Sequence, residues 1–272
     1  MVVISQIVGI LNITPDSFSD GGKFLDSNAA ISRAEALSNE GADIIELSAQ
    51  SSNINATQIP DALEWERIFP VLQYCKSKNL KISVDTYKPF VIRKCLENRV
   101  DVINNINSFR DELSRNTLKD FSNSLPDLIL MFSQNNGDFA EGNSNLNVEN
   151  VMDAIIVFFE RKFEELKKIG IPESKIIVDP GMGLFLSPDP TVSIHVLKNI
   201  SVLKEKFPRV MVSVSRKSFI GALCDNVKPP ERSGGTLACE KFLADRGIDF
   251  IRTHDPLQLK QFIRMNLLLI GE

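Results

Sequence analysis

Short apolar runs alternate along the chain with longer segments in which apolar residues recur every three to four positions. The longer segments have the helical period, as Ile155, Phe158, Phe159, Phe163 and Leu166 illustrate. Nearly continuous apolar runs are typical of parallel strands that are buried on both faces. We predict strands at 2–11, 43–47, 81–85, 100–104, 127–131, 175–179, 210–215 and 249–252. We predict helices at 28–39, 62–78, 90–97, 148–169, 190–206, 232–246 and 256–268, with a less clear helix after Asn107.

The repeat of strand and helix predicts the fold class. Eight repeats in 272 residues average 272/8 = 34 residues each, which is the length of one βα unit. The pattern therefore predicts an α/β protein, a (β/α)8 TIM barrel that forms one domain over residues 1–272. A doubly wound open sheet has the same alternation and stays an alternative.

The composition narrows the class of protein. Hydrophobic residues make up 43% and charged residues 24%, as in ordinary globular proteins, and no apolar stretch is long enough to span a membrane. With 31 basic against 35 acidic residues, the net charge of −4 argues against a nucleic-acid-binding surface. The four cysteines lack the spacing of a metal cluster or a disulfide framework. We expect a cytoplasmic protein that binds neither nucleic acid nor a membrane.

Polar residues follow directly after the apolar runs, at the predicted carboxyl ends of six strands. In a parallel barrel these ends share one face, where binding and catalysis take place. One such residue alone is more often a loop cap, but six on one face predict a site, because buried polar groups need partners. They are Asn12, Asp85, Asn104, Asp179, the Ser-Arg-Lys triplet at 215–217 and the Arg-Thr-His triplet at 252–254.

These residues predict two kinds of ligand chemistry. One set supplies carboxylate acceptors, an amide and an ammonium, which match the edge of a flat nitrogen heterocycle. Its members are Asp85, Asn104, Asp179 and Lys217. In the second set, Arg252 and His254 are suited to a phosphate or pyrophosphate, and the amide oxygen of Asn12 suits Mg²⁺ shared with substrate phosphates.

The segment 9–22 is polar and ends in two glycines after the first predicted strand. An ordinary turn is one interpretation. The functional interpretation is a mobile loop that closes over the substrate and carries Asp16, Ser17 and Phe18.

Six segments resemble the dihydropteroate synthases of folate biosynthesis. In chain order they are GILNITPDSFSDGG (9–22), SVDTYKP (83–89), DVINNI (101–106), DPGMG (179–183), SVSRKSFIG (213–221) and IRTHD (251–255). They run from the first predicted strand to the last, so the resemblance covers essentially the whole chain. It implies a barrel that is usually dimeric. It also implies an enzyme that joins 7,8-dihydropterin-6-ylmethyl diphosphate to p-aminobenzoate and releases pyrophosphate.

The resemblance also implies roles for individual residues. The pterin would be held by Asp85, Asn104, Asp179 and Lys217. The diphosphate and its Mg²⁺ would be held by Asn12, Arg252 and His254, with Asn12 as the metal ligand. The family mechanism is dissociative, because diphosphate leaves before the aniline nitrogen attacks the pterin cation. The catalytic residues it implies are Asp85, Asp179, Lys217, Arg252 and His254.

The chain departs from the usual family pattern after three strands. At 49–55 the usual Gly-Glu-Ser-Thr-Arg-Pro-Gly is replaced by Ala-Gln-Ser-Ser-Asn-Ile-Asn, so that Asn53 stands where the usual arginine would be. Phe185 and Leu186 replace a small residue and a lysine, and Phe132 replaces a histidine.

Two interpretations of these departures compete. The first is a degenerate pterin-binding paralogue without synthase activity. In the second, the Ser-Ser-Asn and DPGMGLFL segments are similar to the mobile sulfonamide-resistance dihydropteroate synthases, in which the equivalent of Phe185 narrows the p-aminobenzoate pocket. We favour the second, because every pterin and diphosphate residue is retained. The p-aminobenzoate pocket would then comprise Ser51, Ser52, Phe185 and Ser218.

Overall fold

Eight parallel strands form one sheet in the computed structural model, which describes residues 4–14, 27–50, 58–133 and 144–270. The strands lie in the order β6-β5-β4-β3-β2-β1-β8-β7, and a bridge between Val178 and Val210 joins the two outer strands. The sheet therefore curls into the predicted (β/α)8 barrel, and the open-sheet alternative is wrong. The strands are β1 (Gln6–Asn12), β2 (Ile44–Ser48), β3 (Ile82–Asp85), β4 (Val102–Asn105), β5 (Asp127–Met131), β6 (Ile176–Asp179), β7 (Met211–Val212) and β8 (Phe250–Thr253).

Helices follow the strands and cover the outside of the barrel. They are α1 (Ser27–Glu40), α2 (Asp61–Ser77), α3 (Pro89–Glu97), α4 (Glu112–Asp120), α5 (Val151–Lys167), α6 (Pro190–Lys198), α7 (Ile200–Lys206), α8 (Ser218–Leu223), α9 (Ser233–Ala244) and α10 (Pro256–Ile270). In the part of the chain that the structure describes, no helix is long and apolar enough to cross a membrane.

Two predicted elements differ from the structure. The helix predicted at 190–206 is two helices that meet at Asn199, whose side-chain amide donates to the carbonyl of His195. The seventh strand, predicted at 210–215, is only two residues long. Arg216 has a φ of +59°, and the amide of Lys217 donates to the carbonyl of Val214, so the chain turns where the prediction extended the strand.

A layer of apolar side chains fills the lower part of the barrel. It consists of Val8, Ile44, Val102, Ile129, Ile177, Met211 and Phe250. Strand side chains alternate, so the residue two positions later on each strand points into the barrel again, one layer nearer its carboxyl end. On four strands that next residue is polar, namely Glu46, Asn104, Asp179 and Arg252. The apolar layer is thus a floor beneath a polar layer.

Phe132, which stands in place of the family's usual histidine, lies in the core. Its ring packs edge-on against Phe158 with 5.3 Å between centroids, and only 5% of the residue is exposed. Phe158 packs in the same way against Phe159, which packs against Phe207. The aromatic ring at 132 is therefore explained by packing between the barrel and α5.

Candidate active site

A polar pocket lies at the carboxyl ends of the strands, above the apolar floor. We call it the strand-end pocket. Its walls include all four residues predicted to bind a heterocycle, Asp85, Asn104, Asp179 and Lys217. The other lining residues are Ile106, Met131, Gly181, Met182, Phe185, Ser213 and Arg252. The structure thus brings together residues that span 168 positions of sequence, from 85 to 252.

Asp85 ends β3 and faces Arg252 across the pocket, with 3.2 Å between its Oδ2 and Nη2 of Arg252. Burial is the largest of the effects that raise the pKa of the Asp85 carboxyl to about 7, and the carboxylates of Glu46 and Glu64 contribute to the same shift. The cationic groups of Arg252 and Lys217 oppose that shift. Asp85 therefore changes charge near neutral pH.

Asp179 ends β6 and is held by the turn that follows it. Its Oδ1 accepts a 2.9 Å hydrogen bond from the amide of Gly181. Burial raises the pKa of Asp179 to about 6, against the opposing effect of that hydrogen bond. Gly181 has a φ of +68°, and a Cβ there would lie 2.4 Å from the carbonyl oxygen of Phe132. The DPG sequence therefore places a glycine where a side chain would clash with the backbone of Phe132.

Lys217 reaches the pocket from the turn after β7. Its Nζ lies 4.8 Å from the ring centroid of Phe185, within the range of a cation–π contact. Burial is the largest effect on the pKa of the Lys217 amine, which is lowered to about 8; Arg252 also lowers it, and Asp179 and Asp85 oppose the shift. The ammonium thus contacts the aromatic ring, and the two carboxylates favour its charged form.

Glu46 is the main residue that the sequence analysis missed. It is fully buried on β2, and its carboxylate accepts hydrogen bonds from Ser83 Oγ at 3.0 Å and Asn104 Nδ2 at 3.2 Å. It also pairs with Nε of Arg252. The signal was present in the sequence, because an acidic residue interrupts the apolar run at 43–47.

Arg252 is shared between two walls of the pocket. Its Nε faces Glu46, its Nη2 faces Asp85, and its Nη1 lies 3.5 Å from Ser213 Oγ. The sequence analysis predicted that Arg252 binds a phosphate. In the structure it also contacts Asp85, one of the residues predicted to bind a heterocycle. A guanidinium with five donors can serve both surfaces.

His254 lies two residues beyond Arg252 and contacts Ser215. Its Nδ1 is 2.9 Å from Ser215 Oγ, and its backbone amide donates to the same oxygen at 3.2 Å. Burial is the largest of the effects that lower the pKa of His254 to about 3, and nearby Arg216 and Arg252 contribute to the same shift, so the ring is neutral at pH 7. In one tautomer of the neutral ring, Nδ1 accepts the proton of Ser215 Oγ. The hydrogen of the imidazole is then on Nε2, which becomes a donor.

Phe185 and Ser218 lie on neighbouring segments of one wall. Phe185 ends a short 3₁₀ turn and is 7% exposed. A Cβ on Gly183 would lie 2.9 Å from Ser218 Oγ, so the two segments are in close contact. Ser51 and Ser52, the other members predicted for this subsite, lie outside the described residues. So do Asp16, Ser17 and Phe18 of the predicted mobile loop.

Asn12, the predicted metal ligand, is exposed at the carboxyl end of β1. Among the residues that the structure describes, no three His, Cys, Asp or Glu side chains are grouped to hold a metal ion. A Mg²⁺ bound mainly by substrate phosphates and water needs only one or two protein oxygens. The residues present therefore fit a metal that arrives with a phosphate ligand.

Comparisons with known proteins identify the same family that the sequence motifs resemble. The family model described as pterin binding enzyme matches residues 8–254. Dihydropteroate synthase type-3 of Escherichia coli is 40% identical, over 97% of this chain and 98% of the relative. Dihydropteroate synthase type-2 of Escherichia coli is 38% identical, over 93% of this chain and 92% of the relative. Among solved structures, Xanthomonas albilineans dihydropteroate synthase with 4-aminobenzoic acid has a TM-score of 0.88 and 27% identity, covering 100% of this chain and 95% of that one.

Proposed function

The chain belongs to the pterin-binding enzyme family and, within it, to the dihydropteroate synthases, and we propose how its residues carry out the reaction. The enzyme joins 7,8-dihydropterin-6-ylmethyl diphosphate to p-aminobenzoate and releases pyrophosphate, a step of folate biosynthesis. One observation carries the assignment of residues. Two carboxylates, an amide and an ammonium from four different strand ends line one pocket.

Asp85, Asn104, Asp179 and Lys217 hold the pterin. The carboxylates accept hydrogen bonds from the N–H groups of the ring, and the ammonium of Lys217 donates to its carbonyl oxygen. When the C–O bond to diphosphate breaks, its electron pair leaves with the diphosphate and a positive charge develops on the pterin. The ionised carboxylates of Asp85 and Asp179 stabilise that charge.

Arg252 and His254 stabilise the departing diphosphate. Arg252 supplies a permanent cation, and the Nε2 hydrogen of neutral His254 supplies a donor without the desolvation penalty of a buried charge. The amine nitrogen of p-aminobenzoate then bonds to the methylene carbon and loses one proton to water. No protein nucleophile is required in this sequence of steps.

Mg²⁺ would be bound by the substrate diphosphate and by the amide oxygen of Asn12. When bound, it would neutralise charge on the leaving group.

Phe185 and the neighbouring Ser218 would form the p-aminobenzoate subsite with Ser51 and Ser52, which the sequence assigns to it. The buried ring of Phe185 is fixed beneath the Lys217 ammonium, so it cannot move aside for a bulkier ligand without losing that contact. A sulfonamide carries additional atoms where p-aminobenzoate has its planar carboxylate. Steric exclusion of the larger competitor would make the enzyme sulfonamide-insensitive.

The remaining parts of the proposal concern the whole protein. It acts as a homodimer in the cytoplasm, with residues 1–272 forming one domain. Light scattering coupled to size-exclusion chromatography measures the oligomeric state, and a mass of one chain would contradict the dimer.

The experiment that tests the function measures pyrophosphate release from dihydropterin diphosphate in the presence of Mg²⁺. Release should depend on p-aminobenzoate and should continue when a sulfonamide is added. Release that the drug blocks would leave the synthase activity and contradict the selectivity. Pterin binding without release would contradict the synthase activity itself.

A further inference from the structure

The pterin pocket is supported from below by Glu46, which has no surface exposed to solvent. Its two carboxylate oxygens serve three donors on three other strands, namely Ser83 on β3, Asn104 on β4 and Arg252 on β8. Glu46 is absent from the pocket lining, whereas Asn104 and Arg252 are part of it. A buried carboxylate with this connectivity acts on the ligand only through other residues.

We propose that Glu46 is a positioning residue that fixes the direction of the Asn104 amide and the place of the Arg252 guanidinium in the pterin pocket. The inference rests on the proposed function, since it concerns how the pterin is recognised.

The direction of the Asn104 amide follows from hydrogen-bond chemistry. A carboxylate only accepts, so the Asn104 atom that faces Glu46 must be Nδ2, which donates to it. The amide oxygen of Asn104 is then presented to the pocket, where it accepts from an N–H group of the pterin. Without Glu46, the amide would be free to rotate and present its NH₂ group to the N–H edge of the ligand.

The place of the Arg252 guanidinium follows in the same way. Glu46 pairs with Nε, so the two terminal nitrogens point away from β2 toward Asp85 and Ser213. Ordering of this long side chain before the ligand binds reduces the entropy lost on binding.

Glu46 also affects the ionisation of Asp85. The charged groups that face Asp85 are Glu46 on β2, Glu64 on α2, Arg252 on β8 and Lys217 in the turn after β7. The Glu46 carboxylate raises the pKa of Asp85, after the larger effect of burial. Removal of the charge at 46 should therefore lower the pKa of Asp85.

Glu46→Gln is the decisive substitution, because it keeps the shape of the side chain and replaces one acceptor oxygen by a donor. We expect dihydropterin diphosphate to bind roughly 10-fold or more weakly, as measured by calorimetry without p-aminobenzoate. We also expect the acidic limb of the kcat/KM profile to move to lower pH. Glu46→Asp keeps the charge and both acceptors, so it should leave that limb in place and bind the pterin more tightly than Glu46→Gln.

Glu240→Gln is the matched control. Glu240 is 1% exposed on α9 and lies outside the pocket lining. Burial raises its pKa to about 8, so at pH 7 it is protonated and resembles glutamine. This control should bind and turn over substrate as the parent does.

A double-mutant cycle with Asn104→Ala separates positioning from a general loss of structure. If Glu46 acts through Asn104, Glu46→Gln should weaken pterin binding less in the Asn104→Ala background than in the parent. If Glu46→Gln does not fold, Glu46→Asp takes its place in the same cycle. Parent-like pterin binding and pH profile in Glu46→Gln would overturn the role of Glu46, and strictly additive effects in the cycle would overturn its action through Asn104. Failure of the parent itself to bind the pterin would instead overturn the proposed function.

Discussion

Charged residues in and beneath the pocket contact one another. Arg252 forms ion pairs with Glu46 and Asp85, and the Lys217 ammonium lies over the ring of Phe185, where the charges of Asp179 and Asp85 favour its protonated form. Buried charges need such partners, because the desolvation penalty of an unpaired charge is large. The same contacts hold these side chains in the positions proposed for substrate binding before the substrate arrives. The site is therefore preorganised.

The pKa values in the pocket predict how activity depends on pH. Asp85 and Asp179 must be ionised to stabilise the pterin cation, and their raised pKa values of about 7 and about 6 mean that protons bind as pH falls through this range. Lys217 must be protonated, and with a pKa of about 8 it loses its proton above that pH. We expect a bell-shaped profile of kcat/KM with its maximum between pH 7 and 8. A flat profile from pH 5 to 9 would contradict the roles of these groups.

Asp179→Asn tests the need for a negative charge beside the pterin. The amide keeps the size of the side chain but cannot stabilise a cation, so turnover should fall by a factor on the order of 100 or more. Asp189→Asn is the matched control, because Asp189 is exposed at the start of α6, where asparagine caps a helix equally well. Unchanged turnover of Asp179→Asn in steady-state assays would contradict the role of Asp179.

Phe185→Gly tests the proposed selectivity. Removal of the ring opens the wall beside Lys217, so the sulfonamide inhibition constant should fall roughly 10-fold or more. The KM for p-aminobenzoate, measured in the same assays, should change less, because the planar carboxylate already fits. Phe90→Ala removes an exposed ring on α3 and should leave inhibition unchanged. Equal resistance in Phe185→Gly and the parent would assign selectivity to other residues.

At the scale of elements, the turn after β6 shows how a short motif positions a charge. The DPGMG segment runs from the Asp179 carboxylate through Gly181, whose amide donates to that carboxylate, to Gly183, whose amide donates to Ser193 Oγ. The carboxylate is thus held by the backbone of its own turn. The following 3₁₀ turn then brings Phe185 to the pocket wall.

Gly181→Ala should disturb both stability and pterin binding. The backbone there has a positive φ, and a Cβ would meet the carbonyl of Phe132, so we expect a loss of about 1–3 kcal/mol in the free energy of unfolding. Gly234→Ala is the control, because Gly234 lies in α9 with open space around it. Alanine at 234 should be neutral or stabilise the protein by up to about 1 kcal/mol. Equal unfolding midpoints for the two variants in urea would contradict the account of the turn.

At the scale of the whole molecule, the site exists only when the barrel is assembled. Arg252 and Glu46 lie 206 positions apart in the sequence, and they meet because β8 pairs with β1, which in turn pairs with β2. The unfolded chain cannot hold these groups together. A ligand of the pocket therefore binds the folded state alone.

Dihydropterin diphosphate should accordingly raise the melting temperature of the protein. At about 100 times its Kd the expected stabilisation is about 2.7 kcal/mol, a shift of several degrees in differential scanning calorimetry. The control is p-aminobenzoate alone at the same concentration; the proposed subsite offers it fewer charged partners, so it should shift the midpoint less. An equal or larger shift with p-aminobenzoate alone would contradict this order of contacts.

The sequence by itself determined the elements and the residues at their ends. Hydrophobic periodicity is a local property, so it located eight strands and the main helices, and the motifs at the strand ends identified Asp85, Asn104, Asp179 and Lys217 as candidates. Hydrophobic periodicity gave a wrong boundary for the seventh strand. The run at 210–215 has strand composition, yet the strand ends at Val212 and the chain turns at 214–217, where Arg216 has a left-handed backbone.

Only the tertiary structure decided whether the sheet closes and which side chains meet. An open sheet and a barrel have the same alternation along the chain. Pairing of β8 with β1, together with the bridge between Val178 and Val210 that joins the two outer strands, distinguishes them. The role of Glu46 was also hidden, because its partners lie on three other strands and no local pattern encodes them. Hydrogen bonds and charge pairs between distant segments depend on the register of the strands, which is fixed only when the whole barrel forms.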